Sequence, residues 1–159
     1  MKTELERQHE HENCRKQLIV DKHNLDTELC QQSSRFDFAG QRWAEALSWQ
    51  ATLKSQLNEL DNKVEEVYAR TSLKIREQLK AKGEKTTEDL IKAMTIVHED
   101  VQKSKEEYLR VERALINAQT WTNKWESTKK AFESRGPDIR DMGSLLLAGY
   151  FQVDSIKIK

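Results

Sequence analysis

The sequence is poor in the residues that form turns, with one proline and five glycines among 159 residues. Sandwiches and barrels need many turns, and doubly wound α/β folds need glycine-rich loops between strands and helices. Neither class is compatible with this composition. What is abundant is charge, at 34% of the residues, which is typical of long helices and coiled coils.

Other features are also missing. The two cysteines, Cys14 and Cys30, form no CxxC pair, and His9 and His11 have too few neighbouring ligands to predict a metal site. The longest apolar run, residues 145–148, is far shorter than the roughly 20 residues of a membrane span. The charged first 16 residues are unlike a signal peptide. We therefore expect no metal, no cofactor, no membrane contact and a cytoplasmic location (the host cytoplasm, if a phage encodes the protein).

Catalytic patterns are missing as well. The sequence has no GxSxG, no glycine-rich phosphate loop and no HExxH. The four histidines are scattered over positions that we predict to be on helix surfaces, namely His9, His11, His23 and His98. The sequence indicates that the protein is not an enzyme.

The clearest positive signal is an apolar stripe in steps of three and four residues. Its period of about 3.5 predicts a long coiled-coil-like helix whose stripe needs a partner. The stripe comprises Trp43, Ala46, Gln50, Leu53, Leu57, Leu60, Val64, Val67, Thr71, Ile75 and Leu79. A second such pattern begins at Val101 and continues to Phe132.

Capping residues predict where these helices end. Gly83 is expected to end the first long helix, Thr86 and Thr87 to cap the next, and Gly136-Pro137 to stop it, with a brief interruption at residues 98–100. The predicted helices span about 24–35, 37–82, 87–135 and 138–150. They form one helical domain over 17–151, between a polar lead-in at 1–16 and a flexible tail at 152–159. The predicted fold is all-α, a long antiparallel helical hairpin with a short apolar C-terminal helix, assembling as a homo-oligomer.

Charge is segregated along the chain although 27 basic and 27 acidic residues cancel. Residues 70–82 carry a balance of +4, residues 84–107 of −3, and residues 110–135 of +3. The first of these stretches is either a solvated helix face or a strip that follows a phosphate backbone without reading sequence. The candidate DNA-binding residues are Arg70, Lys74, Arg76, Lys80 and Lys82.

The tryptophans are candidate base-stacking groups. Trp43 and Trp125 lie on the apolar stripes and are expected in the core. Trp49 and Trp121 lie off the stripes, which favours exposure and contact with either DNA or protein.

Three stretches, taken in order, point to a family. The first is Val20-Asp21, followed by Leu25, Glu28 and Trp43. The second is residues 83–88 (Gly-Glu-Lys-Thr-Thr-Glu), followed by residues 98–101 (His-Glu-Asp-Val). The third is residues 131–136 (Ala-Phe-Glu-Ser-Arg-Gly), followed by residues 139–142 (Ile-Arg-Asp-Met). In that order the sequence resembles the UvsY-like recombination mediators of tailed bacteriophages, from about residue 18 to residue 150. It departs from them in its longer N-terminus, in Pro137 and in the tail after Tyr150.

The resemblance implies a small helical protein that helps load a RecA-like recombinase onto single-stranded DNA. Members of that family form ring-like homo-oligomers and contact the recombinase and the single-strand DNA-binding protein. Their DNA-binding region corresponds here to Arg70, Lys74 and Arg76, with Lys80 and Lys82 as secondary candidates.

The C-terminal helix is too apolar to stand exposed on a monomer. It either folds back on the hairpin or makes the subunit contact, and the second interpretation is favoured. The candidate oligomerisation residues are Met142, Leu145, Leu146, Leu147, Tyr150 and Phe151. The alternative function is a non-enzymatic coiled-coil adaptor, such as a phage inhibitor of a host defence complex.

Overall fold

The computed structural model describes residues 3–21, 23–84 and 86–148, which form four helices and no strand. The helices are α1 (Glu4–Lys16), α2 (Leu25–Ala81), α3 (Glu88–Val97) and α4 (Glu99–Leu147). The all-α prediction is confirmed. None of the helices in these ranges is both long and apolar enough to cross a bilayer.

Residues 4–16 form helix α1 in the region where a polar lead-in was predicted, residues 1–16. Thr3 and Glu6 form a capping box, in which the Thr3 amide donates to the Glu6 carboxylate at 2.7 Å and the Thr3 hydroxyl accepts from the Glu6 amide at 3.3 Å. Arg15 and Lys16 lie in the last turn, where cations stabilise the helix dipole. The sequence did not predict a helix here, because α1 buries only two residues, too few to produce an apolar stripe.

Helix α2 is one continuous helix of 57 residues, although two helices at about 24–35 and 37–82 were predicted. No break occurs near Phe36, since side chains on both sides of it contact α4. The C-terminal end agrees with the sequence: Gly83 has a φ of +67°. The Gly83 amide donates to the Lys80 carbonyl and the Glu84 amide to the Leu79 carbonyl, each at 3.1 Å, which is a Schellman motif.

The predicted helix 87–135 is divided at His98. Helix α3 starts at the Thr87 cap, whose hydroxyl accepts from the Leu90 amide at 3.4 Å. His98 has extended backbone angles, and its Nδ1 accepts from the Asp100 amide at 3.3 Å, so that it ends α3 and caps α4. The interruption expected at residues 98–100 is therefore present, and it separates two helices.

Helix α4 continues through Gly136 and Pro137 to Leu147, although a stop was predicted there. Proline removes one amide donor and disturbs the preceding turn. Phe132 and Ile139, on either side of the proline, are fully buried, and their packing holds the helix together. The predicted helix 138–150 is the last part of α4, and Tyr150 and Phe151 lie outside the described residues, as does the predicted tail at 152–159.

A single helical domain was predicted over 17–151, whereas the structure divides into two compact units. The first unit contains the described residues up to Ala46 together with those from Trp121 onward, and the second contains Leu47–Thr120. Each unit includes one segment of α2 and one segment of α4.

In the first unit the α2 and α4 segments run antiparallel, because residue numbers rise along one helix as they fall along the other. The contacting pairs are Glu28 with Arg135, Gln32 with Phe132, Phe36 with Lys129 and Phe38 with Trp125. Helix α1 packs on this pair through His11 and Cys14.

In the second unit Lys63 of α2 contacts Glu107 of α4, and the stripe residues Leu53, Thr71, Ile75 and Leu79 are buried. Ile75 and Leu79 of α2 form a buried cluster with Ile91 of α3. Burial of these three side chains is worth roughly 1.5–3 kcal/mol each. The antiparallel pairing of α2 with α4 that the sequence predicted is therefore present in each unit.

Candidate nucleic-acid interface

Two of the five candidate DNA-binding residues, Arg70 and Lys74, lie together in an open groove of about 310 Å³ in the second unit. We call it the basic groove. Its cations are Lys63, Arg70 and Lys74 of α2 and Lys103 of α4. Its other lining residues are Val67, Thr71, Asp100, Ser104 and Glu107.

The remaining three candidates lie elsewhere. Arg76 does not line the groove, since its guanidinium pairs with the Glu88 carboxylate at the start of α3, at 2.6 Å. Lys80 and Lys82 are exposed at the end of α2 and do not line the groove. Residues spaced by two or six do not share a helix face, which is why the strip 70–82 separates into two surfaces.

Lys63 and Lys103 are groove cations that the sequence analysis missed. Lys63 precedes Arg70 by seven residues, a spacing that places both on one helix face, so the pattern could have identified it. Lys103 could not have been found this way, because its position depends on how α4 is aligned with α2.

Three of the four groove cations are paired with carboxylates. Lys63 contacts Glu107 at 3.0 Å, Arg70 contacts Glu66 at 2.5 Å, and Lys103 contacts Glu99 at 2.6 Å. The hydrogen bond from Lys103 lowers the pKa of Glu99, and the same bond raises the pKa of Lys103. Exposed pairs of this kind contribute little to stability and exchange readily.

Lys74 forms no ion pair with any residue in the described ranges. Its ammonium group is therefore the groove cation without a direct carboxylate partner among the described residues, although Asp100 and Glu107 also line the groove. The floor adds the Thr71 and Ser104 side chains, and the Ser104 hydroxyl donates to the Val101 carbonyl at 3.0 Å. The groove can accept an anion that is long enough to contact several cations.

Arg135 does not contribute to the surface charge of α4, although it was counted in the +3 balance of residues 110–135. It is only 4% exposed, and its guanidinium contacts Glu28, the Gln32 side chain at 2.9 Å and the Ile19 carbonyl at 3.3 Å. The basic character available on this part of α4 is smaller than the sequence indicates.

Trp121 is buried, which corrects the prediction that it is exposed. It lies beside His11 of α1, and Lys124 places its ammonium 4.3 Å from the ring centroid. Trp125 is buried as predicted, while Trp43 and Trp49 are half-buried. The sequence could not reveal the burial of Trp121, because α1 was not expected to be a helix.

His11 is also buried, whereas all four histidines were predicted to be on the surface. Its ring lies edge-on to Trp121 and Trp125, with centroids 5.9 and 5.0 Å apart, and its Nε2 lies 3.0 Å from the Thr128 hydroxyl. That hydroxyl donates to the Lys124 carbonyl, so it accepts from Nε2. Burial lowers the pKa of His11 and the nearby cations Lys124 and Arg15 lower it further, which outweighs the opposing effects of a hydrogen bond with the Lys124 backbone and of the Glu12 charge.

We expect the stability of the protein to fall as the pH drops below 6.5. A lowered pKa in the folded state means that folding favours neutral His11, so its contribution is complete above the unfolded-state pKa of about 6.5 and is lost as the pH falls through the folded pKa. Urea unfolding of the wild type and His11→Gln at several pH values measures this. The loss between pH 7.5 and 5.5 should be smaller in His11→Gln.

The matched control is His9→Gln, because His9 is exposed on the same helix. It should keep the pH dependence of the wild type. Equal pH dependence of His11→Gln and the wild type would contradict the assignment of this loss to His11.

The candidate oligomerisation residues within the described ranges do not fold back into a core. Leu147 is 91% exposed, Met142 and Leu145 are also exposed, and Leu146 is half-buried. Tyr150 and Phe151 cannot be placed because they lie outside the described residues. The part of the chain that the structure describes contains no group of three or more His, Cys, Asp or Glu residues that could hold a metal ion.

Comparisons with known proteins do not assign a family. No protein-family model matches the sequence, and neither the curated proteins nor the solved structures include a match to this chain.

Proposed function

We propose that the protein is a recombination mediator that binds single-stranded DNA without sequence preference and promotes loading of a RecA-like recombinase in phage DNA recombination and repair. The observation that carries this proposal is the basic groove, in which four cations from two helices line one open channel. The resemblance to UvsY-like mediators supports the same function.

The arrangement of the groove favours a linear polyanion over a small anion. Lys63, Arg70 and Lys74 extend over 11 residues of α2, which is about 16 Å along the helix axis. A phosphate backbone following this line would contact the cations in turn and release their counterions. The proposed contacts are made to phosphates, so the proposed binding is independent of sequence.

Binding would be an exchange of ion pairs without catalytic turnover. The phosphates replace the Glu66, Glu99 and Glu107 carboxylates on Arg70, Lys103 and Lys63, while Lys74 is available at the start. Assembly of several subunits through exposed Met142, Leu145 and Leu147 would place several grooves along one strand. The recombinase and the single-strand DNA-binding protein are the proposed protein partners.

The test is a titration of fluorescent oligo-dT at rising salt with the fourfold variant Lys63→Ala/Arg70→Ala/Lys74→Ala/Lys103→Ala. Loss of four phosphate contacts should weaken binding by about 10³-fold at 50 mM salt and reduce the slope of log affinity against log salt by about 3. All four side chains are exposed, so the variant should keep its fold, which circular dichroism and urea unfolding verify.

A charge-matched control separates the groove from general charge. It replaces four exposed cations of the same unit that do not line the groove: Lys54, Lys92, Arg110 and Arg113. This control should keep the salt slope within about 1 of the wild type. An equal loss in both variants would contradict the site, and absence of wild-type binding at low salt would contradict the function.

A protein-binding adaptor is the second candidate. Leu90, Met94 and Val97 are exposed at spacings of four and three on α3, an arrangement found on helices that dock in a partner's groove. This function predicts no salt-dependent binding of oligo-dT, so the same titration separates it from the first.

A further inference from the structure

Helix α1 buries few of its residues on the first unit. Two of its 13 residues, His11 and Cys14, are buried. Its polar contacts with the rest of the unit include the hydrogen bond between His11 and Thr128 and the ion pair of Glu10 with Arg42 at 2.7 Å. A polar helix of this length is marginal by itself, so its position depends on this small contact surface.

The connection after α1 is anchored separately. Arg35 donates to the Gln17 carbonyl at 3.5 Å, and Arg135 donates to the Ile19 carbonyl at 3.3 Å. These bonds fix the chain beyond Lys16 to α2 and α4. Helix α1 can therefore leave its site without separating the two long helices.

Aromatic rings lie beneath and beside α1. The rings of Trp121 and Trp125 contact His11, and the Trp125 centroid lies 6.2 Å from that of Phe38. Among the described residues of this unit the only helices are α1 and segments of α2 and α4. Displacement of α1 would thus expose the ring surface of Trp121 and Trp125 that His11 contacts.

Cations surround these rings. Lys124 places its ammonium 4.3 Å from the Trp121 centroid, and Arg42 places its guanidinium 5.1 Å from the Phe38 centroid. Aromatic rings next to cations are the combination with which proteins bind unpaired bases, the rings by stacking and the cations by contact with the backbone. When α1 leaves, Arg42 loses Glu10 and keeps its ion pair with Glu45 at 2.7 Å.

We propose that α1 is a displaceable cover over a base-stacking surface for single-stranded nucleic acid, formed by Trp121, Trp125 and Phe38. The choice of ligand rests on the proposed function, but the surface is separate from the basic groove and uses bases instead of phosphates. While α1 covers the rings, the nucleic acid binds through the basic groove. When α1 is displaced, the bases of the nucleic acid also stack on the exposed rings.

The experiment loosens α1 in the full chain with Glu10→Ala/His11→Ala/Cys14→Ala. Alanine keeps the helix propensity of α1 while removing its docking contacts. The control variant, Gln8→Ala/Glu12→Ala/Arg15→Ala, changes three exposed positions of the same helix. Hydrogen exchange of the α1 amides reports loosening, which we expect in the first variant only.

Two strands of equal length are titrated at constant salt: oligo-dT and an abasic oligodeoxynucleotide, which keeps the phosphates but lacks bases. The loosened variant should bind oligo-dT at least about fivefold more tightly than the wild type, since one stacked base contributes at least a factor of this size. Its affinity for the abasic strand should stay near that of the wild type. In the loosened variant, oligo-dT should quench the tryptophan fluorescence, whereas the abasic strand should not.

Adding Trp121→Leu to the loosened variant should remove most of the gain for oligo-dT. An equal gain for both strands would overturn the proposal, because the cause would be the lost Glu10 charge. Unchanged affinity for oligo-dT, or persistent protection of the α1 amides, would overturn it as well. Failure of the wild type to bind either strand would instead contradict the groove function, and a gain limited to oligo-dT would still support the surface.

Discussion

Replacing Glu28 by glutamine is expected to lower the free energy of unfolding by about 3–5 kcal/mol. Glu28 is 8% exposed and is the carboxylate that neutralises Arg135, which is itself buried. Arg35 pairs with the same carboxylate at 2.7 Å. Glutamine keeps the shape but removes the charge, so that the buried Arg135 guanidinium remains without a counter-ion. Urea unfolding at pH 7 measures the loss.

The pH dependence of this variant provides a second measurement. Burial by itself would raise the pKa of Glu28, but hydrogen bonds from Arg35 and Arg135 outweigh it and lower the pKa. A lowered carboxyl pKa contributes stability above the unfolded-state value of about 4.5, and that contribution is lost as the pH falls through the folded pKa. The wild type should lose more stability in acid than Glu28→Gln.

Two further variants test whether the loss of stability comes from leaving the buried Arg135 without a carboxylate partner. Glu59→Gln is the control, because Glu59 is exposed on the same helix, and it should change stability by less than about 0.5 kcal/mol. The double variant Glu28→Leu/Arg135→Leu removes both charges and should recover much of the loss. If Glu28→Gln is as stable as the wild type, Arg135 does not depend on this carboxylate.

Replacing Pro137 by alanine is expected to raise the free energy of unfolding by about 1–3 kcal/mol. Proline inside a helix costs up to about 3 kcal/mol relative to alanine, because it lacks the amide donor and contacts the preceding turn. Pro137 lies in the interior of α4, and its own ring is exposed. Alanine would supply an amide that can donate to the Glu133 carbonyl. Thermal and urea unfolding measure the gain.

Gly136 offers a comparison at the adjacent position. A Cβ atom at Gly136 would come no closer than 3.9 Å to the Gln32 side chain, so Gly136→Ala fits and should add about 0.5–1 kcal/mol. Pro137→Gly should gain less than Pro137→Ala. A loss of stability in Pro137→Ala would mean that the proline ring contributes packing that exceeds the cost of the missing hydrogen bond.

The prediction of the fold succeeded where the signal is local. The stripe from Trp43 to Leu79, the turn at Gly83 and the cap at Thr87 each depend on residues close in sequence, and all three are present. The predicted breaks near Phe36 and at Pro137 were wrong, because contacts between α2 and α4 compensate weak local helix propensity. Helix α1 was missed for the opposite reason, since it has good capping residues but almost no apolar face.

The candidate site was predictable in part. Arg70 and Lys74 were identified from charge and helical spacing, and both line the basic groove. Arg76 was identified from the same charge balance, but its guanidinium pairs with the Glu88 carboxylate and does not line the groove. Lys103 lies 40 positions from Lys63 in the chain, and no pattern along the sequence relates the two.

The sequence by itself determined the helical class, the apolar stripe of α2 and the positions of its main turn, since these follow from composition, period and capping within a few residues. Only the tertiary structure decided which charged side chains and aromatic rings remain exposed to bind a ligand. Arg135 meets Glu28 across 107 positions, and His11 meets Thr128 across 117. Contacts at such separations depend on the alignment of one helix against another, and they bury two groups that the sequence placed on the surface. Lys74, with the same charge as Arg135, is exposed and lines the basic groove, because its position on α2 does not face a buried carboxylate as Arg135 faces Glu28.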